Sequence, residues 1–328
     1  MTVAVLGATG MAGQELVRLL LMRQFPMDRL RLFASQRSAG KKLKIDGTSY
    51  PLEELKRGCF RGVNLAFFAT DASVSRQWLP VALKAGCTVL DKSSAFRMDP
   101  ETPLVIPEIN PEELHRHKGL VANPNCTTAV LLMGLAPLHF AFGLEALTVA
   151  TYQSVSGAGQ AMVRLYEQQL ARFAQDGSWE VGSLVDNAVP AIDLLGKEGH
   201  TVEEEKLVRE TRRILKLPLL PVAVTCVRIP VLRGHSMAVH ARFSRPLEAA
   251  TLRNALQSFP GLAVAEVPTP RDFIRRHDCG IGRLRLDPDE PQELSFWMTG
   301  DNLWRGASLN ALLNAEYLHA HGLLPSRA

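Results

Sequence analysis

The stretch VAVLGATGMAG, residues Val3 to Gly13, decides the fold of the first part of this chain. It begins with an apolar run that suits a buried strand, and glycines follow at positions 7, 10 and 13. Where a strand turns into a helix through such glycines, the backbone can approach a phosphate, and the helix N-terminus offers free N–H groups and a positive dipole end. The spacing is Gly-x-x-Gly-x-x-Gly rather than the commoner Gly-x-Gly-x-x-Gly, so a tight turn without a ligand stays open as an alternative.

The residues beyond this stretch continue the alternation of short apolar runs and helical patterns. Further strands are predicted at Leu30–Ala34, Asn64–Thr70 and Thr88–Ser93, and the intervening helices extend to about Met22 and about Ala85. Near-continuous apolar strands separated by helices predict a parallel sheet that is covered on both faces. The first part of the chain is therefore predicted to be a Rossmann-like, doubly wound α/β domain.

From about Leu144 the pattern changes to alternating apolar and polar side chains. The runs LTVATYQSV, HSMAVHARF, LAVAEV and GRLRL alternate in this way, which is typical of a sheet with one face covered. Helical patterns lie between them at about 160–175, 203–215 and 248–257. The sequence predicts an α+β domain with a largely antiparallel or mixed sheet, followed by a helix over 305–321 that packs back on the first domain.

The totals describe an ordinary globular protein long enough for two domains. Of the 328 residues, 46% are hydrophobic and 21% are charged. The net charge of +4 is spread along the chain without a basic block, so nucleic acid is not expected as a partner. No export signal is expected. The most apolar segment, Ala129–Leu144, is shorter than the ~20 residues of a membrane span, and we interpret it as a buried helix followed by a turn.

The five cysteines are few, odd in number and widely spaced. This pattern argues against a disulfide framework and for a reducing cytoplasm. No two cysteines have Cys-x-x-Cys spacing, and His115 and His117 have no partners nearby in sequence, so no metal site is expected. Four of the cysteines are interpreted as buried packing residues: Cys59, Cys87, Cys226 and Cys279.

The end of the second predicted strand bears on the choice of nucleotide. An NAD site has a carboxylate there, about 20 residues after the glycines, which binds the ribose 2′-hydroxyl. Here the sequence is ASQRSAGKK, with Ser35, Arg37 and Ser38, and no acidic residue follows that strand before Asp46. Hydroxyl and guanidinium groups bind a 2′-phosphate, which a carboxylate would repel. NADP is the expected cofactor, and a solvated polar loop is the alternative.

The motif NPNCTT, Asn123 to Thr128, places Cys126 at the start of a predicted helix. Pro124 disfavours helical geometry at Asn123, and the run TTAVLLMGLA that follows the cysteine reads as a helix. A sulfur at the positive end of a helix dipole is stabilised as the thiolate. Cys126 is therefore a candidate nucleophile, and the alternative is a small buried residue without chemistry.

Seven motifs together resemble the aspartate-semialdehyde dehydrogenase family from end to end. They occur in the family's order as GATGMAG, SQRSAGK, NPNCTT, QSVSGAG, EEEK, RIPVLRGHS and DNLWRGAS. The resemblance implies an NADP-dependent homodimer that reduces L-aspartyl 4-phosphate to aspartate semialdehyde and releases phosphate. That reaction leads to lysine, through diaminopimelate, and to threonine and methionine. It also implies that residues 1–126, completed by 305–328, bind NADP and that 127–304 form the catalytic and dimerisation domain.

Roles are carried over by matching positions in these motifs. The resemblance implies Cys126 as nucleophile, Gln153 as the residue that orients it, and His235 as general acid/base. His235 lies between Gly234 and Ser236 at the mouth of a strand and is expected to be accessible. The implied substrate contacts are Arg97, Asn125 and Lys206 for the phosphate, Arg228 for the carboxylate and Glu203 for the amine. The implied NADP contacts are Gly7, Thr9, Gly10, Met11, Ala12, Gly13, Ser35, Arg37, Ser38, Ser156, Gly157 and Asn302.

Three alternatives stay open at this stage. The acidic run leaves the choice among Glu203, Glu204 and Glu205 for the amine contact undecided. N-acetyl-γ-glutamyl-phosphate reductase uses the same cysteine and histidine chemistry on a longer acyl phosphate, but its acetamide does not call for a carboxylate such as Glu203. A catalytically silent relative would be expected to lose the thiol or the imidazole, and both are present here.

Overall fold

The computed structural model describes residues 1–196 and 198–325. The chain forms two compact units, which we call unit 1 (Met1–Asn125 with the segment from Ala307 onward) and unit 2 (Cys126–Gly306). Lys197, in the predicted second domain, and residues 326–328, in the predicted C-terminal segment, lie outside the described residues. Within the described part of the chain, no helix combines the length and the apolar character that a bilayer span needs.

Unit 1 contains a seven-stranded sheet whose core is parallel. Its elements are β1 (Thr2–Leu6), α1 (Met11–Met22), β2 (Arg29–Ala34), β3 (Lys42–Ile45), β4 (Thr48–Glu54), β5 (Leu65–Phe68), α2 (Ala72–Lys84), β6 (Thr88–Asp91) and β7 (Leu120–Ala122). The strand order is β3-β4-β2-β1-β5-β6-β7, and only the β3–β4 pair is antiparallel. The Rossmann-like prediction is confirmed.

The β3–β4 hairpin was not among the predicted elements. Its turn is Asp46–Gly47, and both residues have positive φ, 45° and 88°. This is the geometry of the tight hairpin turn that an Asp-Gly pair favours. The dipeptide was therefore a usable signal, although the strands on either side are short and mostly polar.

Unit 2 contains a six-stranded mixed sheet with helices packed on it. Its elements are α3 (Cys126–Phe142), β8 (Leu144–Gln153), α4 (Gln160–Asp176), α5 (Val202–Ile214), β9 (Val222–Arg228), β10 (His235–Phe243), α6 (Ala249–Gln257), β11 (Leu262–Val264), β12 (Cys279–Leu286) and β13 (Glu293–Gly300). The order is β11-β12-β13-β10-β8-β9. The two outer pairs, β11–β12 and β8–β9, are parallel and the other pairs are antiparallel, which confirms the prediction of a mixed sheet.

Helix α3 covers one face of this sheet. It continues through Gly134 and Pro137, and a side chain at Gly134 would overlap Met298 of β13. The helix thus packs closely on the sheet, and Gly143, with φ 74°, turns the chain into β8. The predicted buried helix and turn are both present.

The opposite face of the sheet is only partly covered by the residues that the structure describes. The side chains of Ala150, Tyr152, Ala238 and Trp297 on the three central strands are partly exposed, and the rings of Tyr152 and Trp297 pack 5.3 Å apart. We call these four residues the open sheet face.

The last helix, α7 (Leu309–Ala320), belongs to unit 1. A single π-helical turn, Trp304–Ser308, precedes it, so α7 starts later than the predicted Arg305. Its Glu316 carboxylate pairs with Arg23, the residue after α1, at 2.7 Å, and its Asn310 Nδ2 donates to Asn123 Oδ1 at 2.6 Å. These contacts fix the helix against the parallel sheet domain.

Candidate active site

Cys126 is the first residue of α3, as the sequence predicts. Its Sγ lies 3.3 Å from Nε2 of His235, the first residue of β10. The side chain is partly exposed, whereas the other four cysteines are buried. Burial raises the pKa of the Cys226 thiol to about 12 and that of Cys87 to about 12. Of the five thiols, Cys126 is the one placed for reaction.

His235 is fully buried, with 0% exposure, so the expectation that it would be accessible is wrong. The reason is the close approach of the chain around it. A Cβ at Gly157 would lie 3.1 Å from Cε1 of His235 and 3.0 Å from Nη1 of Arg228. Burial, together with the charge of Arg228, holds the pKa of His235 well below its ordinary value, because both disfavour the imidazolium.

The other ring nitrogen of His235, Nδ1, faces Ser154. The Ser154 backbone N–H donates to Nδ1 at 3.0 Å, and the Ser154 hydroxyl lies 3.2 Å from the same nitrogen. That hydroxyl donates to Asn302 Oδ1 at 3.2 Å, and Asn302 Nδ2 donates to the Ser156 hydroxyl at 3.0 Å. The imidazole is thus held from behind by a buried polar network.

Glu203 and Gln153 form a second buried cluster beside the cysteine. Gln153 Nε2 donates to Glu203 Oε1 at 3.1 Å, and the hydroxyl of Thr127, the residue after Cys126, donates to the same oxygen at 3.4 Å. Gln153 and Glu203 are 1% and 5% exposed. The Gln153 oxygen accepts from Thr151 at 3.0 Å, so the amide is fixed at both ends.

Lys206 lies one helical turn after Glu203 on α5. Its Nζ donates to Glu203 Oε2 at 3.3 Å and to Asp193 Oδ2 at 2.5 Å. Burial acts to lower the pKa of Lys206, but the two carboxylates outweigh it and the pKa is raised. The Lys206 ammonium therefore stays charged beside the cluster of Glu203 and Gln153.

The other two acids of the run are used elsewhere. Both carboxylate oxygens of Glu204 accept backbone N–H bonds, from Thr201 at 2.7 Å and from Cys226 at 2.9 Å, as part of a capping box at the start of α5. Glu205 is paired with Arg209 at 3.1 Å at the surface. Glu203 is the acid of this run that contacts Gln153 and Lys206.

Arg228 ends β9 in register with Gln153 of β8. It is 9% exposed, and its Nη1 donates to the Ser154 carbonyl at 2.6 Å. Burial lowers the pKa of Arg228 from its ordinary value, but a guanidinium remains charged in proteins. A buried cation at the end of the strand is thus available to an anionic group.

Nine of the twelve predicted nucleotide residues lie in unit 1, at the carboxyl ends of β1 and β2, whereas Ser156, Gly157 and Asn302 belong to unit 2. Gly7 has φ 72°, and a side chain at Gly13 would overlap the Gly7 carbonyl. Helix α1 has no side-chain cap and no acidic residue in its first turn, so its start is suited to an anion. After β2, Ser35 and Arg37 are exposed and Ser38 is partly exposed.

Arg97 and Asn125 also belong to unit 1. Arg97 is buried, and its Nε donates to the Asn123 carbonyl at 2.8 Å. Its Nη2 donates to the Lys92 carbonyl at 2.5 Å. Asn125 is buried and directly precedes Cys126 in the chain. The Arg97 guanidinium is thus held by backbone carbonyls of its own unit.

Several residues of the cluster were not assigned a role from the sequence. Ser154 lies inside the quoted QSVSGAG motif and Gly306 inside DNLWRGAS, so the motifs had already marked both positions. A Cβ at Gly306 would lie 2.7 Å from Cys126 Cβ. Asp193 carried no sequence signal, because its contact with Lys206 depends on the path of a long loop.

Unit 1 has a parallel sheet with a glycine turn, and unit 2 has a thiol paired with an imidazole. These are the features of a nucleotide-dependent dehydrogenase that forms a covalent thiol adduct. Two family descriptions match the chain: "Semialdehyde dehydrogenase, NAD binding domain" over residues 2–117 and "Semialdehyde dehydrogenase, dimerisation domain" over residues 135–305.

Named relatives narrow the class. Aspartate-semialdehyde dehydrogenase of Bacillus subtilis is 40% identical over 96% of each chain. Aspartate semialdehyde dehydrogenase II from Vibrio cholerae, solved complexed with ASA, gives a TM-score of 0.92 at 35% identity, covering 97% of this chain and 98% of that one. The Candida albicans enzyme, solved with NADP, gives 0.77 at 26% identity, covering 98% and 99%. The chain belongs to the aspartate-semialdehyde dehydrogenase family.

Proposed function

We propose that this enzyme reduces L-aspartyl 4-phosphate to L-aspartate 4-semialdehyde with NADPH, through a thioester on Cys126, on the route to lysine, threonine and methionine. The observation that carries the proposal is the 3.3 Å approach of Cys126 Sγ to His235 Nε2 at the start of α3. The thiolate attacks the acyl carbon, the carbon–oxygen bond to phosphate breaks, and phosphate leaves with that electron pair.

NADP fits the residues of unit 1. The backbone packs closely at Gly7 and Gly13 and forms a tight turn, and the uncapped start of α1 after it leaves N–H donors for a pyrophosphate. Ser35, Arg37 and Ser38 supply hydroxyls and a guanidinium for the 2′-phosphate. When bound, the nicotinamide supplies the hydride that reduces the thioester carbonyl.

The remaining side chains bind the substrate and move its protons. Glu203 receives the substrate ammonium, Arg228 binds its carboxylate, and Lys206 joins Arg97 and Asn125 at the phosphate. Gln153 orients the acyl group. His235 exchanges a proton with the sulfur through Nε2, because that nitrogen lies 3.3 Å from Sγ of Cys126.

The active form we propose is a homodimer, and its matched dimerisation domain spans residues 135–305. The open sheet face is the contact surface, because Tyr152, Trp297, Ala150 and Ala238 leave an apolar strip across three strands of unit 2. The cytoplasm is the compartment we propose, since all five cysteines are free thiols.

A substitution at the centre of that strip tests the dimer. We expect Trp297→Asp to lower the sedimentation coefficient to that of a single chain at micromolar concentration, because a carboxylate cannot be buried there without a partner. Leu219→Asp is the control, since Leu219 is 89% exposed elsewhere. Unchanged sedimentation of the Trp297 variant would remove this surface from the interface.

The function is tested by comparing two substrates in the reverse direction. We expect the purified enzyme to reduce NADP when given aspartate semialdehyde and phosphate, measured as growth of the reduced-nicotinamide absorbance band. N-acetylglutamate semialdehyde should give a far smaller kcat/KM, because a buried Glu203 carboxylate prefers an ammonium to an acetamide. A preference for the acetylated substrate would reassign the enzyme to N-acetyl-γ-glutamyl-phosphate reductase.

A further inference from the structure

Among the residues that the structure describes, the Nδ1 side of His235 has two possible hydrogen-bond partners, and both come from Ser154. The Ser154 backbone N–H, at 3.0 Å, can only donate. It therefore favours the tautomer in which Nδ1 is bare and the proton sits on Nε2, pointing at Cys126. The Ser154 hydroxyl, at 3.2 Å, can accept a proton from Nδ1. It therefore favours the form in which Nδ1 carries a proton.

Asn302 supplies an acceptor for the proton of the Ser154 hydroxyl. The Gly234 backbone N–H donates to one Asn302 side-chain atom at 2.9 Å, so that atom must be the acceptor Oδ1 rather than the amide nitrogen. The Ser154 hydroxyl lies 3.2 Å from the same oxygen and is placed to donate its proton to it, with the Ser156 hydroxyl as a second neighbour at 3.2 Å. Its lone pairs are then free to face Nδ1.

We propose that Ser154 is a positioning residue that allows His235 to carry a proton on Nδ1, so that Nε2 can take the proton of Cys126. The proposal rests on the function proposed above and adds to it a residue that touches neither substrate nor reacting sulfur. Ser154 and His235 are both 0% exposed and Asn302 is 2% exposed. The described geometry therefore gives Nδ1 a protein acceptor in place of bulk water.

The proton transfer starts from the neutral thiol of Cys126 and the neutral imidazole of His235. The S–H bond of Cys126 breaks with its electron pair left on sulfur, and the Nε2 lone pair forms the new N–H bond. The resulting imidazolium holds its second proton on Nδ1, where the Ser154 oxygen accepts it. Without that oxygen the Nδ1 proton would point at a backbone N–H, which also carries a proton.

The surroundings of the ring make such an acceptor necessary. Among the described residues, the groups that face His235 and carry charge or titrate are Cys126 of α3 and Arg228 of β9. Ser154, which directly follows β8, and Thr299 of β13 also contact His235 and do not titrate. Burial and the positive charge of Arg228 both disfavour the imidazolium. An oriented hydroxyl offsets part of that cost.

The test is the pH dependence of alkylation of Cys126 by iodoacetamide, located by mass spectrometry, in wild type and Ser154→Ala. Alkylation follows the thiolate fraction and needs neither substrate nor cofactor. A hydrogen bond to a charged group is worth about one pH unit or more in such a profile. We expect the midpoint to rise by about that amount in Ser154→Ala, and kcat near neutral pH to fall roughly tenfold.

Two further variants keep the test decisive. Ser154→Thr retains the hydroxyl and should retain the wild-type midpoint. Ser236→Ala removes a buried hydroxyl on the neighbouring residue, which bonds Thr299 at 3.1 Å and does not contact Nδ1, so its midpoint should also match wild type. A Ser154→Ala midpoint equal to wild type, or equal shifts in Ser154→Ala and either of the other variants, would overturn the proposal.

The outcome is separable from that of the proposed function. If wild type fails to oxidise aspartate semialdehyde with phosphate and NADP, the proposed function falls. The alkylation profiles would still decide whether Ser154 controls the protonation of His235.

Discussion

The catalytic cluster of unit 2 and the nucleotide residues of unit 1 are built in opposite ways. In unit 2, His235, Gln153, Glu203 and Arg228 are each at most 9% exposed, and their polar atoms are hydrogen-bonded to other residues of the unit. In unit 1, the polar residues that follow β2, such as Ser35 and Arg37, are exposed. The catalytic cluster of unit 2 is assembled before any ligand binds, whereas the residues after β2 stay solvated until the nucleotide binds.

The difference follows from what each region has to do. Groups that take part in bond making must hold fixed positions, since a small displacement costs rate. Burial fixes them, but a buried polar group must be paired, which explains the hydrogen-bond networks. A cofactor that exchanges in every turnover can instead meet groups that are solvated when it is absent. Substitutions in the catalytic cluster should therefore affect turnover and stability, and those in the loop after β2 only nucleotide choice.

The largest loss of activity is expected at Cys126, and Cys226, a buried cysteine of the same unit, serves as its control. Cys126→Ser should lower kcat by roughly 10³-fold or more, because a hydroxyl at the same position lacks the nucleophilicity of a thiolate. Cys226→Ser, at a buried position of β9, is the matched control and should leave kcat within a few-fold. Steady-state kinetics with aspartate semialdehyde measure both. A Cys126→Ser enzyme of unchanged rate would remove this residue from the mechanism.

The next largest loss of activity is expected at Gly306, a glycine that packs against Cys126. A Cβ at Gly306 would lie 2.7 Å from Cys126 Cβ and 3.0 Å from its Cα and carbonyl oxygen, so the backbone of the nucleophile would have to move. We expect Gly306→Ala to lower kcat about a hundredfold, as displacements of that size do.

Gly300→Ala is the matched control for Gly306→Ala. Its Cβ would lie 2.7 Å from Sγ of the buried Cys279 and 3.1 Å from Val130, so it also overpacks the interior of unit 2. We expect a comparable loss of thermal stability with much higher residual activity. If the two variants lose activity equally, crowding at Cys126 is not the cause.

A smaller effect is expected from the acid assigned to the substrate amine. Glu203→Gln keeps the shape and the bond from Gln153 but removes the charge, and a hydrogen bond to a charged group is worth about 1.5–3 kcal/mol. We expect KM for aspartate semialdehyde to rise more than tenfold while KM for NADP stays constant. Glu205→Gln, whose partner Arg209 lies at the surface, should change neither value. An unchanged KM in Glu203→Gln would point to another amine contact.

Much of this organisation could be predicted from the sequence, because it depends on local patterns. The glycine turn after β1, the apolar strands and the cysteine at the start of α3 each follow from residues within a few positions of each other. The choice of Glu203 could not be made in that way. All three acids lie in the first turn of α5, and their roles differ only because of the strands that approach them. Strand β8 brings Gln153 to Glu203, and β9 brings the Cys226 N–H to Glu204.

The burial of His235 was beyond local reasoning for the same reason. Its neighbours Gly234 and Ser236 indicate a strand end that could be open. The ring is closed off by Gly157 and Arg228, which are 78 and 7 positions away in the chain. The network of Ser154 and Asn302 joins residues 148 positions apart. Motifs identify such residues, but the distances between them come only from the fold.

The smallest effect is expected from the exposed residues that follow β2 in unit 1. Arg37 faces solvent after β2, so Arg37→Ala should leave thermal stability and kcat with saturating NADP unchanged. Losing a guanidinium contact to the 2′-phosphate should narrow the ratio of kcat/KM for NADP over NAD about tenfold. Arg29→Ala, at the exposed other end of the same strand, should keep the wild-type ratio. A ratio that stays constant in Arg37→Ala would mean that the 2′-phosphate is recognised elsewhere, and a loss of stability would mean that the loop is not the solvated, ligand-dependent region inferred here.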